Sequence, residues 1–306
     1  MKKIPINQIL QFLKSGGYPT EYIGDDNLYI TTFSNIINIC ENSIAWVKNK
    51  KYLTENVIQI IKENANSLIV CPWKIDEAKN CLITESPKEV FFSILKEFFV
   101  EKKEATISKR AVIETERIGK NVSIGAGCYI SKEVDIGDEV ILHANVVIDC
   151  PCKIGKGTEI FSGTVIGADG FGYYHHNDTP ERVPHFGGVI IGEYVDIGAN
   201  SCIDRGCLGN TIIGDYVKID NLCHIAHNAI IGEKTLVVAG ANICGSVQIE
   251  KKSYIAPEAT IKNQIHVGEE SFIGIGSVLT HDIESKTFVF EQSTRELKKV
   301  DYHRFL

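Results

Sequence analysis

The sequence predicts a mainly β protein: a parallel β-helix of hexapeptide repeats behind a small N-terminal α/β domain. Three observations carry that expectation. An aliphatic residue returns every sixth position at Val112, Ile118, Ile124, Ile130, Ile136, Leu142, Ile148, Ile154, Ile160 and Ile166, resumes at Ile191, Ile197 and Ile203, and runs again by sixes from Ile213 to Leu279. The position after it is often Gly, as at Gly119, Gly125, Gly155, Gly192 and Gly214. The first hundred residues lack this phase and mix helical and strand periods instead.

In the N-terminal domain, residues 1–104, Ile6 to Leu13 and Thr54 to Asn64 read as amphipathic helices, and Lys88 to Phe99 as a third. Asn66 to Cys71 reads as a short buried strand ended by Pro72. Strands alternating with helices suggest an α/β fold. Residues 105–282 hold the repeat. Each hexad is one short strand and one turn, three hexads make a triangular coil, and the run predicts about eight coils. The aliphatic residue points into the prism and stacks on its equivalents above and below. Gly at the corner supplies positive φ or lets backbones approach closely. The fifth position is small or branched (Val122, Ser201, Val217, Thr235, Ala259, Ser271, Val278) and packs beside the aliphatic residue. Each coil touches only its neighbours, so stability accumulates along the stack. Residues 283–306 read as a short charged tail with helical potential at its end.

Composition narrows the function. A net charge of −7 argues against a basic nucleic-acid surface. No apolar run reaches membrane-spanning length, and Met1-Lys2-Lys3-Ile4-Pro5 does not open a signal peptide. The ten cysteines form no C-x-x-C pair and read as small buried thiols of a reducing compartment, so a cytoplasmic location is expected. No metal or bound cofactor is expected.

Two interruptions break the repeat. One runs between Ile166 and Ile191 through Gly167-Ala-Asp-Gly-Phe-Gly172, Tyr173-Tyr-His-His176 and Arg182-Val-Pro-His-Phe186; the other carries Asp204-Arg-Gly-Cys207. Loops that leave a strict scaffold are where function concentrates.

The runs Gly167-Ala-Asp-Gly-Phe-Gly172, Ile190-Ile-Gly192, Ile203-Asp-Arg-Gly206, Ile219-Asp-Asn221 and His224-Ile-Ala-His-Asn228 resemble the UDP-3-O-(3-hydroxyacyl)glucosamine N-acyltransferase family of lipid A synthesis (LpxD). The resemblance covers roughly residues 1–285. It implies a left-handed parallel β-helix, a homotrimer with active sites between neighbouring prisms, and transfer of a (3-hydroxy)acyl group from an acyl carrier protein thioester to a UDP-amino sugar. It also implies that the N-terminal domain holds uracil between Trp46 and Tyr52, with Asn49 at the base edge. Stacked rings gain apolar burial, and an amide supplies both a donor and an acceptor.

The resemblance further places the general base at His227, an oxyanion donor at the Gly245 N–H, and substrate contacts at Asn221 and Asn228. Asp220 is a candidate to orient the imidazole, because a catalytic base needs an orienting partner. An amine must lose a proton as it attacks a thioester, which suits a neutral imidazole. The tetrahedral oxyanion needs a fixed N–H. The family's second histidine falls near Asn263, where the segment reads Lys262-Asn-Gln-Ile-His266, so His266 is the candidate for that role. The family also continues into a C-terminal helical arm that engages acyl carrier protein, which leaves acyl-CoA as an alternative donor. The same fold would then modify a UDP- or dTDP-linked amino-deoxysugar of a surface glycan. A γ-carbonic-anhydrase-like zinc site using His224 and His227 is a remoter reading, lacking a third histidine in phase.

Overall fold

A computed structural model describes residues 2–101 and 104–290. The chain divides into two compact units between Lys103 and Glu104.

The first unit is a five-stranded sheet in the order Glu21–Ile23, Asn80–Ile83, Leu68–Cys71, Ser43–Trp46, Thr32–Phe33. Its first strand is antiparallel to its neighbour and the rest are parallel. Three helices flank it: α1 (Ile6–Ser15), α2 (Glu55–Glu63) and α3 (Pro87–Phe98). The strand period of two sorts the core. Ile44, Leu68, Val70 and Leu82 face α1 and α3, while Ala45, Ile69, Cys71 and Cys81 face α2. Both faces are covered, which is why these strands read as continuous apolar runs rather than alternating ones. Thr54 caps α2 by accepting the Val57 N–H.

The second unit is a parallel β-helix with faces of nine, seven and nine strands. On the first face Ile130, Ile148, Ile166, Ile203, Ile225, Ile243, Ile261 and Leu279 pair in one continuous column. All of them are buried. Full burial of such a side chain contributes about 1.5–3 kcal/mol each, so the columns dominate the unit's stability.

Four expectations are corrected. Val112 is not the first inward residue: it is 57% exposed, and Ile113 pairs with Ile130 and packs on the core instead. Adjacent apolar residues let the repeat slip by one at its frayed start. Val278 is likewise exposed, and Ser277 occupies the buried fifth position. Gly167 apart, the glycines directly after the aliphatic residue do not supply positive φ. Their role is close approach: a Cβ at Gly125 would come 2.5 Å from Ala144 N, on the next coil. Positive φ falls two residues later, at Asn121, Asn145, Asn200, Asn228 and Ser246, where Asn tolerates the left-handed region. Finally, the solenoid does not stop at Leu279. Ile283 bridges to Val267, and Phe288–Val289 adds a ninth strand to the third face. The remainder of the expected tail, 291–306, lies outside the described residues.

The first interruption leaves the stack after Asp169, where the register to the next strand shifts. It forms an antiparallel hairpin, Tyr173–His176 with Thr179–Arg182. Tyr174 Oη donates to Glu181 at 2.7 Å. The chain then returns through Pro184 to the second face at Val189–Ile191.

Candidate active site

His227 sits on the turn that follows the first-face strand His224–Ile225. One coil is eighteen residues here, so Gly245 and Asn263 occupy the same turn position one and two coils on. Residues Phe171, Asp204, His224, His227, Gly245 and Asn263 share one cavity of about 380 Å³. Two grooves of the first unit are larger, about 660 and 670 Å³, both around Glu85–Glu89. The smaller cavity is the better site, because chemistry needs a positioned base and donor rather than volume.

The tautomer of His227 follows from its neighbours. Its Nδ1 lies 3.1 Å from Asn228 Oδ1. That oxygen also accepts the Cys207 N–H at 3.0 Å, which identifies it as the amide oxygen. Nδ1 must therefore carry the proton, and Nε2 keeps a lone pair. Asn228 is held in turn: its own N–H donates to Thr211 Oγ1 at 2.9 Å, and its φ is 62°. Cys207 belongs to the second interruption, so that loop helps to hold the base.

Glycines make the slot for the ring. A Cβ on Gly170 would collide with the imidazole, and one on Gly245 would lie 2.7 Å from Nε2 and 2.8 Å from Cε1. The Gly245 carbonyl accepts from Gln264 N at 2.9 Å, and the next residue, Ser246, donates to His227 O at 2.9 Å. Among the described residues neither His227 Nε2 nor the Gly245 N–H has a hydrogen-bond partner, and Gly245 lies against the ring. His185, from the first interruption, closes the side. Its ring meets that of His227 edge-on, with centroids 5.5 Å apart and planes at 82°. His185 Nδ1 donates to Val183 O at 2.9 Å.

The cavity holds a second histidine system, built on His224, which the sequence offered only as a zinc ligand. His224 Nε2 lies 3.1 Å from Asp204 Oδ2 and its Nδ1 3.2 Å from Asn242 Oδ1. The hydrogen bond to Asp204 raises its pKa above the ordinary value, outweighing partial burial. Hexad arithmetic could have found Asn242, eighteen residues after His224. Asp204 was visible only as a member of an interruption. Cys244 also lines the cavity, and burial pushes its thiol up, away from the nucleophilic thiolate.

Three expected residues are not brought to His227 within the chain. Asp220 stands at the turn after Lys218–Ile219 on the third face, where its Oδ1 accepts the Asn221 N–H at 2.7 Å. Within the chain, the side chain that hydrogen-bonds His227 Nδ1 is Asn228. Asn221 Oδ1 accepts the Ala199 N–H at 2.7 Å on that same corner. His266 lies on the second face in the strand His266–Val267, with Nε2 3.3 Å from Glu250 Oε1. The phase is unshifted there, and Asn263 takes the stacked position instead.

In the first unit, Trp46 ends its strand and packs on Phe91 and Phe92, each at 6.4 Å between centroids. Asn49 caps the turn Lys50–Tyr52, accepting the Lys51 N–H at 3.0 Å. That leaves the Asn49 amide nitrogen free to donate. Tyr52 is exposed, with Lys51 Nζ 5.1 Å from its ring centroid. Of the ten cysteines, all free, Cys40 and Cys202 are exposed and Cys207 and Cys244 half-buried, so the reading of uniformly buried thiols holds only for the other six. Among the described residues no helix is long and apolar enough to cross a membrane.

The hexapeptide family described as "Bacterial transferase hexapeptide (six repeats)" matches residues 117–150 and 210–245. UDP-3-O-acylglucosamine N-acyltransferase 1 of Francisella tularensis subsp. holarctica is 41% identical over 164 residues, 47% of this chain and 46% of that protein. The chain thus spans about half the length of that relative. The UDP-3-O-acylglucosamine N-acyltransferase of Coxiella burnetii is 32% identical over 257 residues, 73% of this chain and 70% of the relative. That of Methylobacillus flagellatus is 31% identical over 251 residues, 74% and 69%. Among solved structures, UDP-N-acetylglucosamine acyltransferase from Campylobacter jejuni superposes with a TM-score of 0.54 at 27% identity, over 60% of this chain and 70% of its own. The corresponding enzyme from Bacteroides fragilis gives 0.53 at 31%, over 58% and 68%. A parallel β-helix of hexapeptide repeats, carrying the His227 turn, and relatives matched over more than two thirds of their length lead to one conclusion: the chain belongs to the UDP-3-O-acylglucosamine N-acyltransferase family.

Proposed function

We propose that this protein is an N-acyltransferase. It moves a 3-hydroxyacyl group from a thioester to the amine of UDP-3-O-(3-hydroxyacyl)glucosamine, in lipid A synthesis. The observation that carries the reading is the pairing at one turn position of a base nitrogen, His227 Nε2, with an unpartnered donor, the Gly245 N–H. The names of the relatives point the same way.

The steps follow from these groups. The amine nitrogen attacks the thioester carbonyl, and His227 Nε2 takes the proton that the amine loses. The carbonyl oxygen becomes an oxyanion, stabilised by the Gly245 N–H. When the tetrahedral intermediate collapses, the C–S bond breaks and the imidazolium returns its proton to the departing thiolate. Asn228 keeps the ring in the productive tautomer throughout. No bound cofactor is required, and much of the rate comes from holding both substrates in one cleft.

The positions of Asp220 and Asn221, on a different corner from His227, favour a homotrimer whose sites lie between copies, where these side chains would come from a neighbour. The exposed Tyr52 and the free Asn49 amide suit a uracil clamp completed by Trp46. Ten free thiols suit a cytoplasmic location. The donor is acyl carrier protein, with acyl-CoA as the alternative. A zinc reading is disfavoured because both ring nitrogens of His224 are already engaged.

The test is mass-spectrometric acyl transfer by the full chain, with UDP-3-O-(3-hydroxyacyl)glucosamine and 3-hydroxyacyl carrier protein, and His227→Ala as control. Product that vanishes in the variant supports the reading. No product from folded protein overturns it, and directs the search to UDP- or dTDP-linked amino-deoxysugars with acyl-CoA.

A further inference from the structure

Asp204 is a nearly sealed carboxylate, 7% exposed, on the wall of the His227 cavity. A buried carboxylate is costly unless paired. Its Oδ2 is paired with His224, one coil further on. Among the described residues its Oδ1 has no hydrogen-bond partner. His224 stands between two oxygens, Asp204 Oδ2 and Asn242 Oδ1, so the doubly protonated ring satisfies both. Asp204 is the charged group that bears on it; Cys202, which precedes His224 in the outward column, carries a thiol pushed up by burial and by Asp204.

The rest of the cavity is mixed, with Ala226 and Cys244 beside polar side chains. Asn242, Ser246, Asn263 and Gln264 supply amides and a hydroxyl that both donate and accept, and Phe171 supplies one apolar wall. Vicinal hydroxyls on a ring with an apolar face fit that lining; an acyl chain would leave its polar groups unmatched.

We propose that Asp204 and His224 form an ion pair that anchors the acyl-acceptor sugar beside His227, the carboxylate offering Oδ1 to an O–H or N–H of that sugar. The proposal rests on the acyltransfer reading for the identity of the sugar. Asp204 sets which acceptor is held, and His224 positions Asp204. The alternative is that the pair only ties two coils together.

Calorimetry on the full chain separates these without requiring turnover. The probes are UDP-glucosamine and UDP. Wild type binds UDP-glucosamine more tightly than UDP, by about tenfold for one hydrogen bond to a charged group. Asp204→Asn brings the two affinities together, leaves UDP binding unchanged and shifts the melting temperature little. His224→Gln loses part of the discrimination. Equal affinities in wild type, or full discrimination in a folded Asp204→Asn protein, overturn the anchor. Transfer activity is read separately. Activity with undiminished discrimination in Asp204→Asn sinks the anchor alone, whereas discrimination without transfer sinks the acyltransfer reading alone. A ¹⁵N titration of the imidazoles shows His224 keeping its second proton to higher pH in wild type than in Asp204→Asn; coincident titrations overturn the ion pair.

Discussion

The oxygen of Asn228 joins two parts of the site: it takes the Cys207 N–H at 3.0 Å and the His227 Nδ1–H at 3.1 Å. Within one chain, a neutral amide therefore holds the Nδ1–H of the base. Asn228→Asp preserves the acceptor and the left-handed backbone, so kcat falls by about tenfold or less. Asn228→Ala removes the acceptor and frees the ring to adopt the other tautomer, and kcat falls on the order of 10²-fold or more. Steady-state kinetics with both substrates saturating separate the two. Equal activity in wild type and Asn228→Ala would remove Asn228 from the mechanism.

Gly245 offers a cleaner separation of chemistry from folding. Its φ is not positive, so Ala suits the backbone, but the new methyl would stand 2.7 Å from His227 Nε2. The far end of a side chain can move, so the fold survives while the base is displaced. Gly245→Ala is expected to lower kcat by about 10²-fold, as a misplaced base or donor does, with a melting temperature within a few degrees of wild type. Unaltered kcat would show that the base nitrogen works elsewhere.

The Asp204–His224 pair predicts a pH dependence of stability. The folded pKa of His224 is raised from 6.5. Its contribution is therefore fully present below the unfolded value and is lost as pH rises through the folded one. His224 is nearly half exposed, so solvent screens the pair and the effect stays below about 1 kcal/mol. Urea midpoints of wild type and Asp204→Asn should differ most near pH 6 and converge as pH climbs. A gap that widens with pH would contradict the assignment.

How much of this was legible depends on what each position must satisfy. The inward column admits only aliphatic residues, so Ile130 through Leu279 could be read directly. At Val112-Ile113 two apolar neighbours offered two phases, and packing chose the second. The His227-Asn228 motif was legible as chemistry, and Asn228 was read as a substrate contact rather than as the hydrogen-bond partner of the ring. Residues seven apart in a hexad array lie on different corners, whereas residues eighteen apart stack; Gly245 follows that rule, and Asp220 and His266 do not. Asp204 was hidden because an interruption abandons the period that makes the rest readable. In the first unit, Asn80 was hidden because a buried polar residue has no periodic signature.

That buried amide carries a prediction of its own. Asn80 Nδ2 donates to Ala65 O at 2.9 Å and Ser67 O at 3.2 Å, while Oδ1 accepts from Asp25 N at 2.9 Å and Tyr22 Oη at 3.2 Å. One side chain therefore ties two loops, around Asp25 and Ala65–Ser67, and Tyr22 of the edge strand to the sheet. Asn80→Ala leaves the partners unmatched around a cavity and should destabilise the first unit by about 3 kcal/mol. Asn80→Asp keeps the acceptor but replaces the donating NH2 with an oxygen that repels both the Ala65 and Ser67 carbonyls, and should cost at least as much. Chemical denaturation followed by tryptophan fluorescence tests this, because Trp46 and Trp73 both lie in that unit. A shift under 1 kcal/mol for Asn80→Ala would mean that water replaces the amide, and that these loops are held by the backbone alone.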